Sequence, residues 1–175
     1  MPRRLILLRH AQAESAPLGD FSIEADLARP LTPVGEAAAL RCGMWLHKQD
    51  LAPDAILCST ARRTRQTLHN VMQAFPGSAA TPDFSVDLYE AEAQTLLERL
   101  RRTPPAVRTL LLVGHNPGIS LLASRLDSTA PELDEGFAPG SIAVFSVWDN
   151  SAPHHAPGWQ NSLPDGAILH TFTRP

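Results

Sequence analysis

Several residues able to do chemistry stand at the ends of apolar runs. Arg9-His10 follows Leu5–Leu8, Ser59 stands just before Arg62-Arg63, Tyr89-Glu90 follows a short strand-like run, and Gly114-His115 closes Thr109–Val113. Arg29 lies in the loop after the first run. An unprotonated imidazole is a nucleophile, a guanidinium fork grips two oxygens of a phosphoryl group at once, and a carboxyl can protonate a leaving group. Each residue also has a plainer reading: a histidine satisfied at a strand end, a solvated helix face for Arg62, Arg63 and Arg65, a helix cap for Glu90. Their shared placement is what favours one pocket.

The elements that must position them are legible as hydrophobic periods. Arg4–Arg9 reads as a buried strand, with Thr32 capping and Pro33 opening a helix to about Lys48, whose inner stripe is expected at Ala37, Leu40 and Met44. Asp54–Ser59 is a second strand, after which Ser59 or Thr60 caps a helix bearing Leu68, Val71, Met72 and Phe75. A short strand is expected around Ser85–Tyr89, then a helix with Ala93, Leu96, Leu97 and Leu100, stopped by Pro104-Pro105. Thr109–Val113 is the next strand, followed by a helix carrying Ile119, Leu122, Ala123 and Leu126. The stretch from Asp127 to Gly140 reads as loop, Ser141–Trp148 and Ala167–Phe172 as strands, and Asp149–Gly166 as loop. Strands alternating with helices predict an α/β fold with a mostly parallel sheet, in which ligands bind beyond the carboxyl ends of strands.

Composition narrows the class. The 175 residues, 43% hydrophobic and 19% charged, suit one domain over 1–175 that is large enough to hold a core without disulfides or metals. A net charge of −3 excludes bulk polyanion binding, so no nucleic acid is expected, yet fourteen of the fifteen basic residues are Arg. Cys42 and Cys58 read as buried free thiols. The run Leu5–Leu8 is too short for a membrane span or signal peptide, so no membrane and a cytoplasmic location are expected. No G-x-G-x-x-G turn, Walker loop or G-x-S-x-G elbow occurs. His154-His155, adjacent in a Pro-flanked loop, are expected to be solvent-exposed, and no metal is implied.

Taken together, Leu-Leu-Arg9-His10-Ala11, Arg29-Pro-Leu-Thr-Pro-Val-Gly35, Ser59-Thr-Ala-Arg62-Arg63-Thr-Arg-Gln66-Thr67, Leu88-Tyr89-Glu-Ala91 and Val113-Gly114-His115-Asn-Pro117 resemble the histidine phosphatase superfamily. The SixA-type phosphohistidine phosphatase branch is the nearest resemblance, with motifs in family order from residue 4 to about 148. It implies a phosphoglycerate mutase-like three-layer α/β sandwich and a covalent phosphohistidine mechanism without cofactor. His10 matches the nucleophile, and Ala11 replaces the glycine usual in the superfamily. Arg9, Arg63 and His115 match the remaining catalytic positions, and Arg29 matches a phosphate-pocket arginine of the SixA-type branch. Phosphate binding would then fall to Arg9, Arg29, Arg63 and His115.

The leaving group separates the readings. An alkoxide needs a strong general acid, for which Glu90 leads and Asp26 is the alternative; an imidazole needs far less. A phosphohistidine-bearing protein is therefore the first substrate reading, since the short chain leaves little room for segments that close over small molecules. A small phosphomonoester such as a sugar or nucleotide phosphate is the second, with Asp127 to Gly140 as a partial lid. A non-catalytic phosphate-binding module is the third. A monomer is the default.

Overall fold

The computed structural model describes residues 2–147, 159 and 164–175; His154, His155, Trp148 and most of the expected loop 149–166 lie outside them. Six strands form one sheet: β1 (Arg3–Arg9), β2 (Ala55–Ser59), β3 (Pro82–Ser85), β4 (Thr109–Gly114), β5 (Ile142–Val147) and β6 (Ala167–Thr173). Their order is β3-β2-β4-β1-β5-β6. Neighbours from β3 to β1 run parallel, whereas β5 pairs antiparallel with both β1 and β6. The expected mostly parallel α/β sheet is observed.

Alternation along the strands builds two cores. Leu5 and Leu7 of β1, Leu110 and Leu112 of β4 and Leu57 of β2 face one side, packed with α4 (Ala93–Arg101) and α5 (Gly118–Leu126). Ile6, Leu8, Ile56, Cys58, Leu111 and Val113 face the other, under α2 (Pro33–Lys48) and α3 (Arg62–Met72). This is why the strands read as continuous apolar runs: both faces are covered, and each fully buried Leu or Ile contributes roughly 1.5–3 kcal/mol. Cys42 and Cys58 are buried and free, and burial pushes their thiols up to about 11 and about 12.

Four expectations need correction. The inner face of α2 is Gly35, Ala39, Cys42, Gly43 and Leu46, while Ala37, Leu40 and Met44 are exposed. A Cβ at Gly43 would stand 2.3 Å from the Val71 carbonyl oxygen, so α2 and α3 meet through small residues and the bulkier stripe is turned outward. Second, α3 begins after Ala61 with no side-chain cap from Ser59 or Thr60; Ser59 Oγ meets His115 Nε2 at 2.7 Å and accepts from the Ala61 amide. Third, β3 ends at Ser85; a 3₁₀ turn, Val86–Leu88, then delivers Tyr89 and Glu90. Fourth, the stretch after β1, which carries no apolar period, contains a short helix, α1 (Ile23–Leu27). It buries no residue and is held by Ser22, whose hydroxyl accepts from the Ala25 amide.

Candidate active site

The parallel register brings Arg9 level with Gly114, so His10 and His115 leave adjacent strands side by side. Their rings lie 5.3 Å apart and are 8% and 4% exposed. His10 Nδ1 is 2.7 Å from the Ala11 carbonyl oxygen. A carbonyl only accepts, so the proton resides on Nδ1 and Nε2 presents its lone pair. Burial first, then the Arg63, Arg9 and Arg29 charges, lower the His10 pKa to about 4, against the opposing pull of the Ala11 bond. Burial and then Arg63 and His10 lower His115 to about 3. Both imidazoles are therefore neutral near pH 7.

Helix α3 is the organiser. Residues 63, 66 and 67 share one face at i, i+3, i+4 spacing. Thr67 Oγ1 accepts from the Ala11 amide at 3.0 Å and Gln66 Oε1 from the Leu31 amide at 2.8 Å, which fixes the backbone beside His10 and the loop carrying Arg29. Arg63, only 2% exposed, reaches the centre, where its Nη2 lies 3.3 Å from His115 Nδ1. On its far side, His115 Nε2 meets Ser59 Oγ at 2.7 Å. Arg9 Nη1 donates to the Phe137 carbonyl at 2.7 Å, and its Nε, like that of Arg63, is buried without a hydrogen-bond partner among the described residues. Burial, then Arg174 and Arg63, lower the Arg9 pKa from its ordinary value.

Asp26 lies inside this cluster. Its carboxylate accepts from Arg29 Nη1 at 2.9 Å, Arg63 Nη2 at 3.1 Å and the Tyr89 hydroxyl at 2.5 Å, while its carbonyl accepts from Arg63 Nη1 at 2.8 Å. Burial pushes the Asp26 carboxyl up, but Tyr89, Arg29 and Arg63 outweigh it and bring it down to about 2. Burial and the Asp26 carboxylate push Tyr89 up to about 12. Glu90 is different: its side chain is 53% exposed and its Oε1 is 3.4 Å from Arg63 Nη2. It caps no helix, since α4 starts after Glu92, and its φ of 50° lies in the left-handed region. Such a conformation costs a non-glycine residue on the order of 1 kcal/mol. Gly118 helps fix this turn, because a Cβ there would stand 1.9 Å from the Ala91 carbonyl oxygen.

All seven expected residues, Arg9, His10, Asp26, Arg29, Arg63, Glu90 and His115, thus belong to one cluster. Ser59 and Tyr89, noted in the sequence only for their place at strand ends, also enter the cluster, as do Gln66 and Thr67, and Ser59, Gln66 and Thr67 flank Arg63 in sequence. Tyr89 reaches the cluster through its hydroxyl and places its ring edge-on to His115 at 5.6 Å.

A family model for the histidine phosphatase superfamily (branch 1) matches residues 5–90. The chain is 41% identical over 158 residues to an uncharacterised protein of Mycobacterium tuberculosis, covering 86% of this chain and 92% of that one. It is 27% identical over 159 residues to a phosphohistidine phosphatase SixA homolog of Haemophilus influenzae, covering 84% and 89%. A solved structure of a candidate SixA phosphohistidine phosphatase from Nakamurella multipartitia is similar with a TM-score of 0.80 and 33% identity, covering 100% of this chain and 97% of that one. With a sheet of this order, a paired-histidine site and relatives aligned over most of its length, the chain is a phosphatase belonging to the histidine phosphatase superfamily.

Proposed function

We propose that the protein removes phosphoryl groups from phosphohistidine on a protein, through a covalent phosphohistidine on His10. The observation that carries this reading is the His10 Nδ1 contact with the Ala11 carbonyl, which leaves Nε2 free for attack. Arg9, Arg29 and Arg63 offset the charge of the phosphoryl group, and catalysis is mainly positioning and electrostatic stabilisation. In the first step Nε2 of His10 forms the P–N bond as the bond from phosphorus to the substrate ring breaks; that ring, protonated on its other nitrogen by exchange with water, leaves with the electron pair as neutral imidazole. Water then attacks phosphorus, the P–Nε2 bond breaks, and inorganic phosphate is released.

His115 supports both steps through Ser59. When Arg63 donates to Nδ1, the His115 proton sits on Nε2 and is donated to Ser59 Oγ. When a phosphoryl oxygen takes the Arg63 donor, exchange with water moves the single His115 proton from Nε2 to Nδ1; the Ser59 hydroxyl then turns to donate to the bare Nε2, and Nδ1–H donates to a phosphoryl oxygen. Asp26, held ionised by two arginines and a tyrosine, positions those arginines and is not the acid. An imidazole leaving group does without a strong acid.

The strained, half-exposed Glu90 favours a second reading, in which small phosphomonoesters are also substrates and Glu90 protonates the alcohol. One paired assay decides. Wild type is expected to form a phosphoenzyme from chemically phosphorylated histidine protein and to turn it over faster than sugar or nucleotide phosphates, and His10→Ala to abolish both. Full turnover by His10→Ala would overturn the nucleophile; indifference to phosphohistidine with rapid alcohol-phosphate hydrolysis would overturn the substrate.

A further inference from the structure

We propose that the segment from Glu14 to Glu24 is the docking surface for the phosphoprotein substrate: an apolar, acidic rim that takes a partner presenting apolar and Lys or Arg side chains around its phosphohistidine. This deepens the reading above and rests on it. Leu18, Phe21 and Ile23 are 106%, 96% and 64% exposed, three large apolar side chains within six residues of chain. Isolated exposed apolar residues need no explanation, but three within six residues of the segment that also delivers Asp26 and Arg29 to the cluster offer an interaction surface.

The same loop carries two of the pocket's groups. Its base is closed by the bridge between Ala13 and Leu31, by the Glu14 amide donating to the Pro30 carbonyl, and by Arg29 Nε donating to the Glu14 carbonyl. Inside, Asp20 Oδ1 accepts from the Ser22 amide and Ser22 caps α1. From this frame Asp26 and Arg29 join the arginine cluster, while Leu18, Phe21 and Ile23 stand in solvent. A groove of about 290 Å³ on this segment is lined by Ser15, Pro17, Asp20, Ala25 and Pro30 together with Arg29 of the cluster.

Charge selects the occupant. No Lys or Arg occurs from Ala11 to Ala28, and Glu14, Asp20 and Glu24 are exposed. A positive pocket thus adjoins a negative rim: the phosphoryl group is drawn to the arginines and cationic neighbours of the phosphohistidine to the carboxylates. A second copy would oppose carboxylates to carboxylates, and an anionic membrane would be repelled. A small phosphomonoester fills the pocket without spanning the rim.

The test compares histone H4 chemically phosphorylated on histidine with free 3-phosphohistidine, using wild type, Leu18→Ser/Phe21→Ser and Glu14→Lys/Glu24→Lys. These side chains are solvent-exposed and outside the catalytic cluster, so the fold should survive. Each double variant is expected to lose at least ten-fold in kcat/KM on the phosphohistone, mostly through KM, while turnover of free phosphohistidine stays within two-fold of wild type. Equal behaviour of wild type and variants on the phosphohistone overturns the docking surface alone, as does an equal loss on both substrates. Sedimentation showing that wild type dimerises and Leu18→Ser/Phe21→Ser does not would assign the patch to a second copy and overturn it too. A wild type inert on both phosphohistidine substrates overturns the functional reading and the surface with it.

Discussion

A carbonyl oxygen decides the character of His10, because it can only accept and so holds the proton on Nδ1. The two nearby carboxylates are likewise told apart by their partners. Asp26 is bound by Arg29, Arg63 and Tyr89, and its charge organises both arginines; among the described residues the Glu90 carboxylate is bonded by Arg63 alone, at 3.4 Å. Asp26→Asn is therefore expected to lower kcat/KM by about 10- to 100-fold on phosphohistidine and alcohol phosphates alike, as both need the arginines aligned. Glu90→Gln should leave phosphohistidine turnover within about three-fold and lower alcohol-phosphate turnover by the 10²-fold typical of a lost general acid. Steady-state kinetics of both variants on both substrates check this, and a phosphohistidine defect confined to Glu90→Gln would reverse the assignment.

At the scale of elements, α3 works as a spine that ties three loops to one pocket. Thr67 is fully buried; its Oγ1 accepts from the Ala11 amide and donates to the Arg63 carbonyl. Thr67→Val keeps the volume but leaves a buried amide unsatisfied next to His10. A stability loss of roughly 1–3 kcal/mol is expected by urea denaturation, accompanied by a fall in kcat. Unchanged stability and kcat would show that α3 does not hold the His10 backbone. Helix α1 is the opposite kind of element: without a buried face, it exists through its Ser22 cap and the contacts of Asp26. No hydrophobic period could announce it.

For the whole molecule, burying two neutral histidines makes stability depend on pH. Unfolded histidines bind protons near pH 6.5, whereas folded His10 and His115 do so only near 4 and 3. Their cost is absent above the unfolded value and grows as pH falls below it, because the unfolded chain then binds more protons. By pH 5 the two together should remove on the order of 4 kcal/mol relative to pH 7. Asp26, whose folded value is depressed, stabilises above the ordinary carboxylate range and loses that contribution as pH falls toward 2. Urea denaturation at pH 7 and pH 5 should show the loss, and His10→Asn should diminish it. Equal stability at both pH values would rule out buried neutral histidines.

The sequence alone determined the α/β alternation and the positions of most strands, because continuous apolar runs and turn residues are local properties of the chain. Arg9, His10, Arg63 and His115 were legible through the resemblance of their motifs to the family. The face that α2 buries was not: Gly43 packs against Val71, a contact set by the partner helix, and it turned Leu40 and Met44 outward. The different fates of Asp26 and Glu90 were also beyond it, since a carboxyl's role follows from the charges and donors that distant elements bring to it. Only the tertiary structure placed Tyr89, Arg29 and Arg63 on one carboxylate and left the other half in solvent.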